Sequence, residues 1–480
     1  MNTGNEWEMT IGIECHVQLA TTTKLFSPAN NDARTSEPNA NVHHIDYGLP
    51  GMLPRLNRSA IDLAIKAAKA MNATVAPISR FDRKHYFYPD LPNGYQITQL
   101  YQPTILSGYV DLPLKQKDSV RVRIHHAHLE MDAGKLTHHS DYSLVDLNRA
   151  GTPLIEVVSE PDMHSPQEAR AFATELHRLM VYAGVTRGDL YHGNMRFDVN
   201  LSVAKKGAAE LGRRAEVKNL NSFRSVERAA EYEFARQVSL LEKGETIVQE
   251  TRGWDEATAK TVSQRSKEDA QDYRYMPDAD IPPVVLSEKE IEEIQKTVPM
   301  LPSQYRQAWS ELSLDSSVIN SLLSDQSKAK LLYEVQQVAG NGPATRAAHW
   351  FSSTVAESDE DPLATEAVLV RAEDLIELAS MTDAQEISST SAKDIFVELM
   401  NGRQSPRAIA ETKNLLQVSD EGIVANIVDE VLADPASQKA IADIKAGNDK
   451  AIGFLVGQIM KKSQGKANPA MAQKLIREKL

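Results

Sequence analysis

The chain of 480 residues holds a single cysteine, Cys15. That excludes an internal disulfide framework and any zinc site built from clustered thiolates. A metal bound here must be held by carboxylate, imidazole or amide groups. Also missing is any run approaching the roughly 18 consecutive apolar residues of a membrane span, and the first twenty residues contain no basic segment leading into an apolar one. The expectation is a cytoplasmic protein that does not engage a membrane. Neither internal repeats nor low-complexity segments occur.

What is present is ordinary for a globular protein, with 41% apolar and 25% charged residues. The length points to two or three domains. The net charge of −13 argues against a polyanionic partner, but the charge is unevenly distributed. Residues 301–400 carry sixteen Asp/Glu against six Lys/Arg, whereas Lys439 to Leu480 carries nine Lys/Arg against three Asp/Glu. The C-terminal segment alone is suited to phosphates.

From Met9 to about Leu286 the pattern is rich in short alternating runs broken by Pro and Gly. One helix is well signalled inside it. Ser165 is the N-cap, Pro166 the first helical residue and Glu168 the partner in a capping box; Ala169, Phe172, Ala173, Leu176, Leu179 and Met180 form one face, and Gly184 stops it. A second helix is expected from about Ser222 to Lys243. From Ser287 to Arg403 the spacing turns helical, with Glu357–Pro362 as a loop, and Ser405-Pro406 restarts a small helical segment that runs to Leu480. The expected class is α+β: a mainly antiparallel sheet domain over 1–290, an all-helical domain over 291–404 and a helical tail domain over 405–480.

Four of the strands place chemically potent side chains on one face. Residues i and i+2 of a strand point the same way, about 6.5–7 Å apart. In Ile11-Gly-Ile-Glu-Cys-His-Val-Gln-Leu19, Ile11, Ile13, Cys15, Val17 and Leu19 share one face, and Glu14 and His16 share the other. Met195 to Leu201 sets Arg196, Asp198 and Asn200 against an apolar face; Arg214 to Lys218 groups Arg214, Glu216 and Lys218; His125 to Asp132 groups His126, His128, Glu130 and Asp132. A solvated sheet also alternates. These faces, however, lack Thr and Ser filler, and their carboxylates, imidazoles and cations suit Mg²⁺ bridging nucleotide phosphates. The loop from Arg83 to Gln96, with Lys84 and Tyr86, is a second candidate or a packed aromatic turn.

Long segments resemble the B-subunit family of the glutamyl/aspartyl-tRNA amidotransferases. They include Ile11–Leu19, Lys24-Leu-Phe-Ser27, Leu49–Pro54, Arg83–Gln96, Leu144–Asp162, Glu216–Arg228, Gln249–Asp255, Arg265–Glu268, Asp272–Tyr275, Gly453–Lys461 and Gly465–Pro469. The resemblance implies a cradle domain similar in fold to glutamine synthetase, followed by a helical and a tail domain that hold tRNA(Gln) or tRNA(Asn). It implies a heterotrimer with an amidase, the A subunit, and with a small C subunit. It also implies ATP and Mg²⁺ as cofactors, and conversion of misacylated Glu-tRNA(Gln) or Asp-tRNA(Asn) to the amide with ammonia made by the amidase. By position it implies Glu14, His16 and Glu130 as metal ligands, with Asp132 and Asp198 behind them. Lys84, Tyr86, Arg149, Arg196, Glu216 and Lys218 would serve the nucleotide, phosphate and aminoacyl group, and Lys461, Lys462 and Lys466 the tRNA.

The residues agree with this division. No GxSxG elbow or Ser-Ser-Lys amidase pattern is visible, and Cys15 lies on an apolar face, so ammonia must come from elsewhere. Nor is there a P-loop, because Asp132-Ala-Gly-Lys-Leu136 lacks its spacing and the hydroxyl residue after Lys135. Three departures from the family pattern fall near the chemistry: Met131 where an acid is usual, Tyr191-His192 where acids often stand, and Phe197 for a cysteine. Either a ligand is lost, or Met131 lies on the apolar side of its strand, as alternation places it, and the ligands remain. Two other readings are a paralogue that amidates a different aminoacyl-tRNA or a free acid, and a tRNA-binding protein of the same fold without ATP chemistry.

Overall fold

The computed structural model describes residues 6–114, 120–266, 272–354, 370–402, 404–417, 421–463 and 467–480. Lys466 and the Glu357–Pro362 loop lie outside the described residues. The chain forms two compact units, Met1–Gln304 and Tyr305–Leu480, and the α+β expectation holds.

The first unit contains strands β1 (Trp7–Gln18), β2 (Ile78–Ser79), β3 (Asp82–His85), β4 (Tyr95–Thr98), β5 (Gly108–Leu112), β6 (Val120–Met131), β7 (Lys135–His138) and β8 (Ser143–Asp146). It continues with β9 (Pro153–Ser159), β10 (Met195–Lys205), β11 (Arg214–Leu220), β12 (Glu250–Asp255), β13 (Lys260–Ser266), β14 (Met276–Pro277) and β15 (Val284–Val285). Eight of them form one sheet in the order β13-β12-β11-β10-β1-β9-β6-β5. Within that sheet only β11 and β12 pair in parallel. Two long strands, β1 and β6, give the sheet its length, and β1 lies near its middle, between β9 and β10.

One face of this sheet is the core. Ile11, Ile13, Cys15 and Val17 of β1 and Phe197, Val199 and Leu201 of β10 are buried there, beneath helices α1 (Arg58–Ala70), α2 (Pro166–Tyr182) and α3 (Phe223–Glu242). Burying a Val, Ile, Leu or Phe side chain stabilises by about 1.5–3 kcal/mol, so a one-residue slip of β1 would forfeit several such terms at once. The register is therefore fixed, and with it the residues on the opposite face. Helix α2 begins at Ser165, whose hydroxyl accepts from Glu168 N at 3.2 Å. The Glu168 carboxylate reaches back to His164 N at 2.6 Å, one residue earlier than the expected capping box. Near the end of β11, Asn219 takes φ 68°, a left-handed conformation that Asn tolerates better than bulkier residues. Ser222 then caps α3.

The second unit is helical. Helices Gln326–Ala339, Asn341–Thr354, Ala372–Asp383 and Ser389–Asn401 enclose Leu332, Val335, Leu375 and Leu378, with Phe351 packed edge-on to Phe396 at 5.1 Å. Helices Glu421–Ala433, Ile452–Lys462 and Pro469–Lys479 share a separate apolar core of Val424, Val428, Leu455, Ile459, Ala472 and Ile476.

Candidate active site

The pairing of the central strands draws residues distant in sequence into lines across the polar face. His128 of β6 pairs with Glu156 of β9, Glu156 with His16 of β1, and His16 with Arg196 of β10. Base and acid alternate along the first three positions of this row, and Arg196 ends it. The neighbouring row sets Glu14 opposite Asp198, and the next sets Gly12 opposite Asn200 and Asn200 opposite Glu216.

Two groups of ligand atoms result. In the first, His16 Nε2 lies 3.5 Å from Glu130 Oε1 and 3.4 Å from Glu156 Oε2, and His128 Nε2 lies 3.5 Å from Glu156. In the second, one oxygen from each of Glu14, Asp198 and Glu216 lies within 4.8 Å of the others. Lys218 Nζ holds Asp198 at 2.7 Å and Glu216 at 3.1 Å. Asn200 Nδ2 donates to Glu14 Oε1 at 2.9 Å, and its Oδ1 is buried with no hydrogen-bond partner.

These groups perturb one another's ionisation. Burial, then the charges of Glu156 and Glu216, raise the Glu14 carboxyl above its ordinary value, against the opposing pull of Lys218. Burial alone would lower His16, but the hydrogen bond to Glu156 and the charge of Glu130 outweigh it and lift the imidazole to about 9. Glu156 is the mirror case: burial raises it, and His16 and His128 bring it well below the usual carboxylate range. Two carboxylates facing each other, a third beside them and a buried acceptor without a donor make a set that fits a hard divalent cation.

The candidate residues do not all play one part. Glu14, His16, Glu130, Asp198, Glu216 and Lys218 converge on the two clusters. Asp132 stands outside both and anchors two arginines instead, Arg196 at 2.6 Å and Arg149 at 3.3 Å; Arg149 also donates to the carbonyls of Ala133 and Gly134. Lys84 sits over the Tyr273 ring at 4.9 Å, and its charge reaches Glu156. Tyr86 is half-buried; burial, then Asp90, Glu130 and Asp132, push its phenol up. Burial, then Glu130, push Tyr275 up to about 12, which marks a further phenol near the first cluster. In the second unit Lys461 is exposed, and Lys462 pairs with Glu430 at 2.6 Å.

Sequence reasoning missed Glu156, the residue at the centre of the first cluster. Its strand reads Pro153-Leu-Ile-Glu-Val-Val-Ser159, an apolar run in which Leu154 and Val158 occupy the polar face and hide the alternation. The signal available was a single charge in a run otherwise fit for burial on both sides.

Comparison with known proteins adds to this geometry. Residues 9–292 match the GatB/GatE catalytic domain and residues 333–480 the GatB domain. The chain belongs to the GatB/GatE family. Several relatives are named as the B subunit of aspartyl/glutamyl-tRNA(Asn/Gln) amidotransferase. One from Persephonella marina is 44% identical over 99% of this chain and 100% of its own. Another from Polynucleobacter asymbioticus is 44% identical with the same coverage, and one from Caldicellulosiruptor saccharolyticus is 42% identical over 99% of each chain.

At the positions read as departures from the family pattern, the side chains of the two clusters are untouched. Met131 is buried in the apolar core and lines a small cavity with Phe26, Leu91 and Ile97. Phe197 is fully buried on the core face and meets the Phe223 ring at 6.1 Å, away from its polar neighbours Arg196 and Asp198. Tyr191 is exposed, and His192 pairs with Asp189 at 2.8 Å.

Proposed function

We propose that this chain is the activating component of an aspartyl/glutamyl-tRNA(Asn/Gln) amidotransferase. It phosphorylates the side-chain carboxylate of a glutamate or aspartate misacylated on tRNA(Gln) or tRNA(Asn), then lets ammonia displace the phosphate to leave the amide. The observation that carries this reading is the pair of oxygen-rich clusters, side by side on one sheet face with Arg196 and Lys218. A carboxylate is a poor electrophile, and phosphoryl transfer to it calls for positioning and positive charge more than for covalent help from the protein.

The residues divide that work. Glu14, Asp198, Glu216 and the Asn200 carbonyl would hold one Mg²⁺, and His16, Glu130 and Glu156 a second. Bound there, Mg²⁺ supplies positive charge to the phosphoryl oxygens of ATP. Arg196 and Lys218 add cationic donors on the same face. Lys84 of β3 and Tyr86 just after it orient the aminoacyl carboxylate, and Asp132 fixes the guanidiniums of Arg196 and Arg149. Ammonia would be delivered by a partner amidase, the A subunit, held with the small C subunit in a heterotrimer. The all-helical segment 291–404 and the tail 405–480, which has its own core, would grip the tRNA body. No described helix is long and apolar enough to cross a membrane, and we place the complex in the cytoplasm.

The readings as a paralogue for another acid, or as a tRNA-binding protein without ATP chemistry, are not favoured by full-length relatives that bear one name. The test is to assemble the chain with its amidase and small partners and follow ADP formation with glutamine and Glu-tRNA(Gln) or Asp-tRNA(Asn). ADP formation that depends on misacylated tRNA is expected; ATP turnover indifferent to tRNA, or none, overturns the proposal.

A further inference from the structure

Each carboxylate of the second cluster is already engaged by a donor. Asn200 Nδ2 donates to Glu14 Oε1 at 2.9 Å, and Lys218 Nζ lies 2.7 Å from Asp198 Oδ2 and 3.1 Å from Glu216 Oε1. The Thr251 hydroxyl donates to Glu216 Oε2 at 2.9 Å. These donors differ in kind. The Lys218 ammonium bridges two of the carboxylates that a divalent ion would bridge, and its charge is the one such an ion replaces. The amide of Asn200 and the hydroxyl of Thr251 are neutral, so no charge repulsion drives them away from a bound cation.

Thr251 reaches Glu216 from the neighbouring strand, where the two residues pair in the parallel register of β11 and β12. A buried network holds it there. Directly after Thr251, at an irregularity in the β12–β13 pairing, Arg252 donates from Nε to the Thr261 hydroxyl and from Nη2 to the Thr261 carbonyl, both at 2.8 Å, and pairs with Glu250. Thr261 in turn donates to Glu233 of α3 at 3.0 Å. That carboxylate is fully buried and also accepts from Arg236 at 2.6 Å and from Gln237 at 2.9 Å. Removing one partner from such a network strands a buried charge, so its members resist displacement. Strand β12 is thereby clamped to α3 one residue from the hydroxyl that meets Glu216.

The consequence is a limit on how many oxygens the cluster can give one ion. Ca²⁺ takes roughly six to eight oxygen ligands in a flexible shell and reaches the higher numbers by letting carboxylates close on it with both oxygens. Mg²⁺ is smaller and demands near-octahedral order, and Mn²⁺ shares that geometry. A carboxylate with one oxygen tied to a neutral donor suits the second kind of ion. Glu216, held at Oε2 by Thr251, and Glu14, held at Oε1 by Asn200, are both of this sort.

We propose that Thr251 is a positioning residue that sets the metal preference of the second cluster: by holding Oε2 it keeps Glu216 a one-oxygen ligand, which favours Mg²⁺ and Mn²⁺ over Ca²⁺. The inference rests on the divalent cation assigned to this cluster above and deepens it, from which residues hold the ion to which ion they admit.

The test uses the full-length chain freed of metal. Binding of Mn²⁺ is followed by the loss of its solution EPR signal, and the bound ion is displaced with Mg²⁺ or with Ca²⁺. In wild type, Mg²⁺ should displace Mn²⁺ at lower concentration than Ca²⁺ does. Thr251→Val, nearly the same shape without the donor, should shift the ratio of the two displacing concentrations toward Ca²⁺ by about tenfold, the scale of one hydrogen bond to a charged group. Thr251→Ala should shift it the same way, and Thr251→Ser should restore the wild-type ratio. The shift should persist in a Glu156→Gln background, which takes a ligand from the first cluster only. Equal weakening of all three ions would make Thr251 scaffold alone and overturn the proposal, as would an unchanged ratio, a shift toward Mg²⁺ or a shift that vanishes with Glu156→Gln. A wild-type chain that binds none of the three ions would sink the functional reading itself, whereas one that binds Mg²⁺ and keeps its ratio in Thr251→Val sinks this inference alone.

Discussion

Glu14 and Asp198 stand directly opposite each other across β1 and β10, two carboxylates in a position where unlike charges or apolar pairs are usual. Like charges so placed destabilise a sheet. Lys218, bound to Asp198 and Glu216, offsets part of that repulsion in the metal-free protein. The arrangement favours any divalent cation that can take over the role.

Glu14→Gln removes one of the facing charges and keeps the acceptor for Asn200. In chelator the variant should be as stable as wild type or more so, by up to about 1 kcal/mol. Added Mg²⁺ or Mn²⁺ should raise the melting temperature of wild type and leave the variant nearly unmoved, and tRNA-dependent ADP formation should fall at least about a hundredfold. A variant that responds to metal as wild type does would remove Glu14 from the ligand set.

His16 carries a pH dependence of definite sign. Its folded-state value of about 9 lies above the ordinary 6.5, so its charged pairing stabilises fully below pH 6.5 and is lost as pH climbs through 9. Metal-free protein should therefore lose denaturant resistance between those limits, and His16→Gln should flatten that part of the profile. An unaltered profile in the variant would refute the assignment.

Glu156→Gln takes away the carboxylate that His16 and His128 share. The His16 imidazole should then titrate lower, and NMR of the ring protons would read the shift. Activity should fall as far as in Glu14→Gln. Retained activity would mean that the first cluster does not take part.

Phe197→Ala separates scaffold from chemistry. Loss of a fully buried ring should cost about 3–5 kcal/mol of stability, while metal affinity below the melting range should hold, because the ring faces α3 and not the clusters. A large fall in metal affinity would place Phe197 closer to the site than its contacts indicate.

In the tail, Lys461→Ala should lower the slope of log affinity for tRNA against log salt by about one. Lys462→Ala should change it less, since Glu430 already holds that ammonium. Absent effects would remove both lysines from the tRNA contact, and equal effects would show that Glu430 does not hold Lys462 away from it.

Much of the architecture was legible because one sheet face is almost purely apolar. Ile11, Ile13, Cys15 and Val17 can only point inward, and that leaves Glu14 and His16 on the other side. The same logic rightly placed Met131 with the core. It failed at Glu156, where apolar residues occupy both faces of the strand, and it could not foresee that two arginines claim Asp132, since no local pattern announces them. The Arg34–Asp32–Arg187 ion pairs were out of reach for a different reason: they join two loops, and loops have no period to read.

The row His128–Glu156–His16–Arg196 joins four strands whose members lie up to 180 residues apart in the chain. Contacts of such sequence separation form late and together. On the function proposed above, a nascent or partly unfolded chain would have no half-built version of the first cluster with which to turn over ATP wastefully, and appearance of tRNA-dependent ADP formation would serve as a clock for completed folding of the sheet.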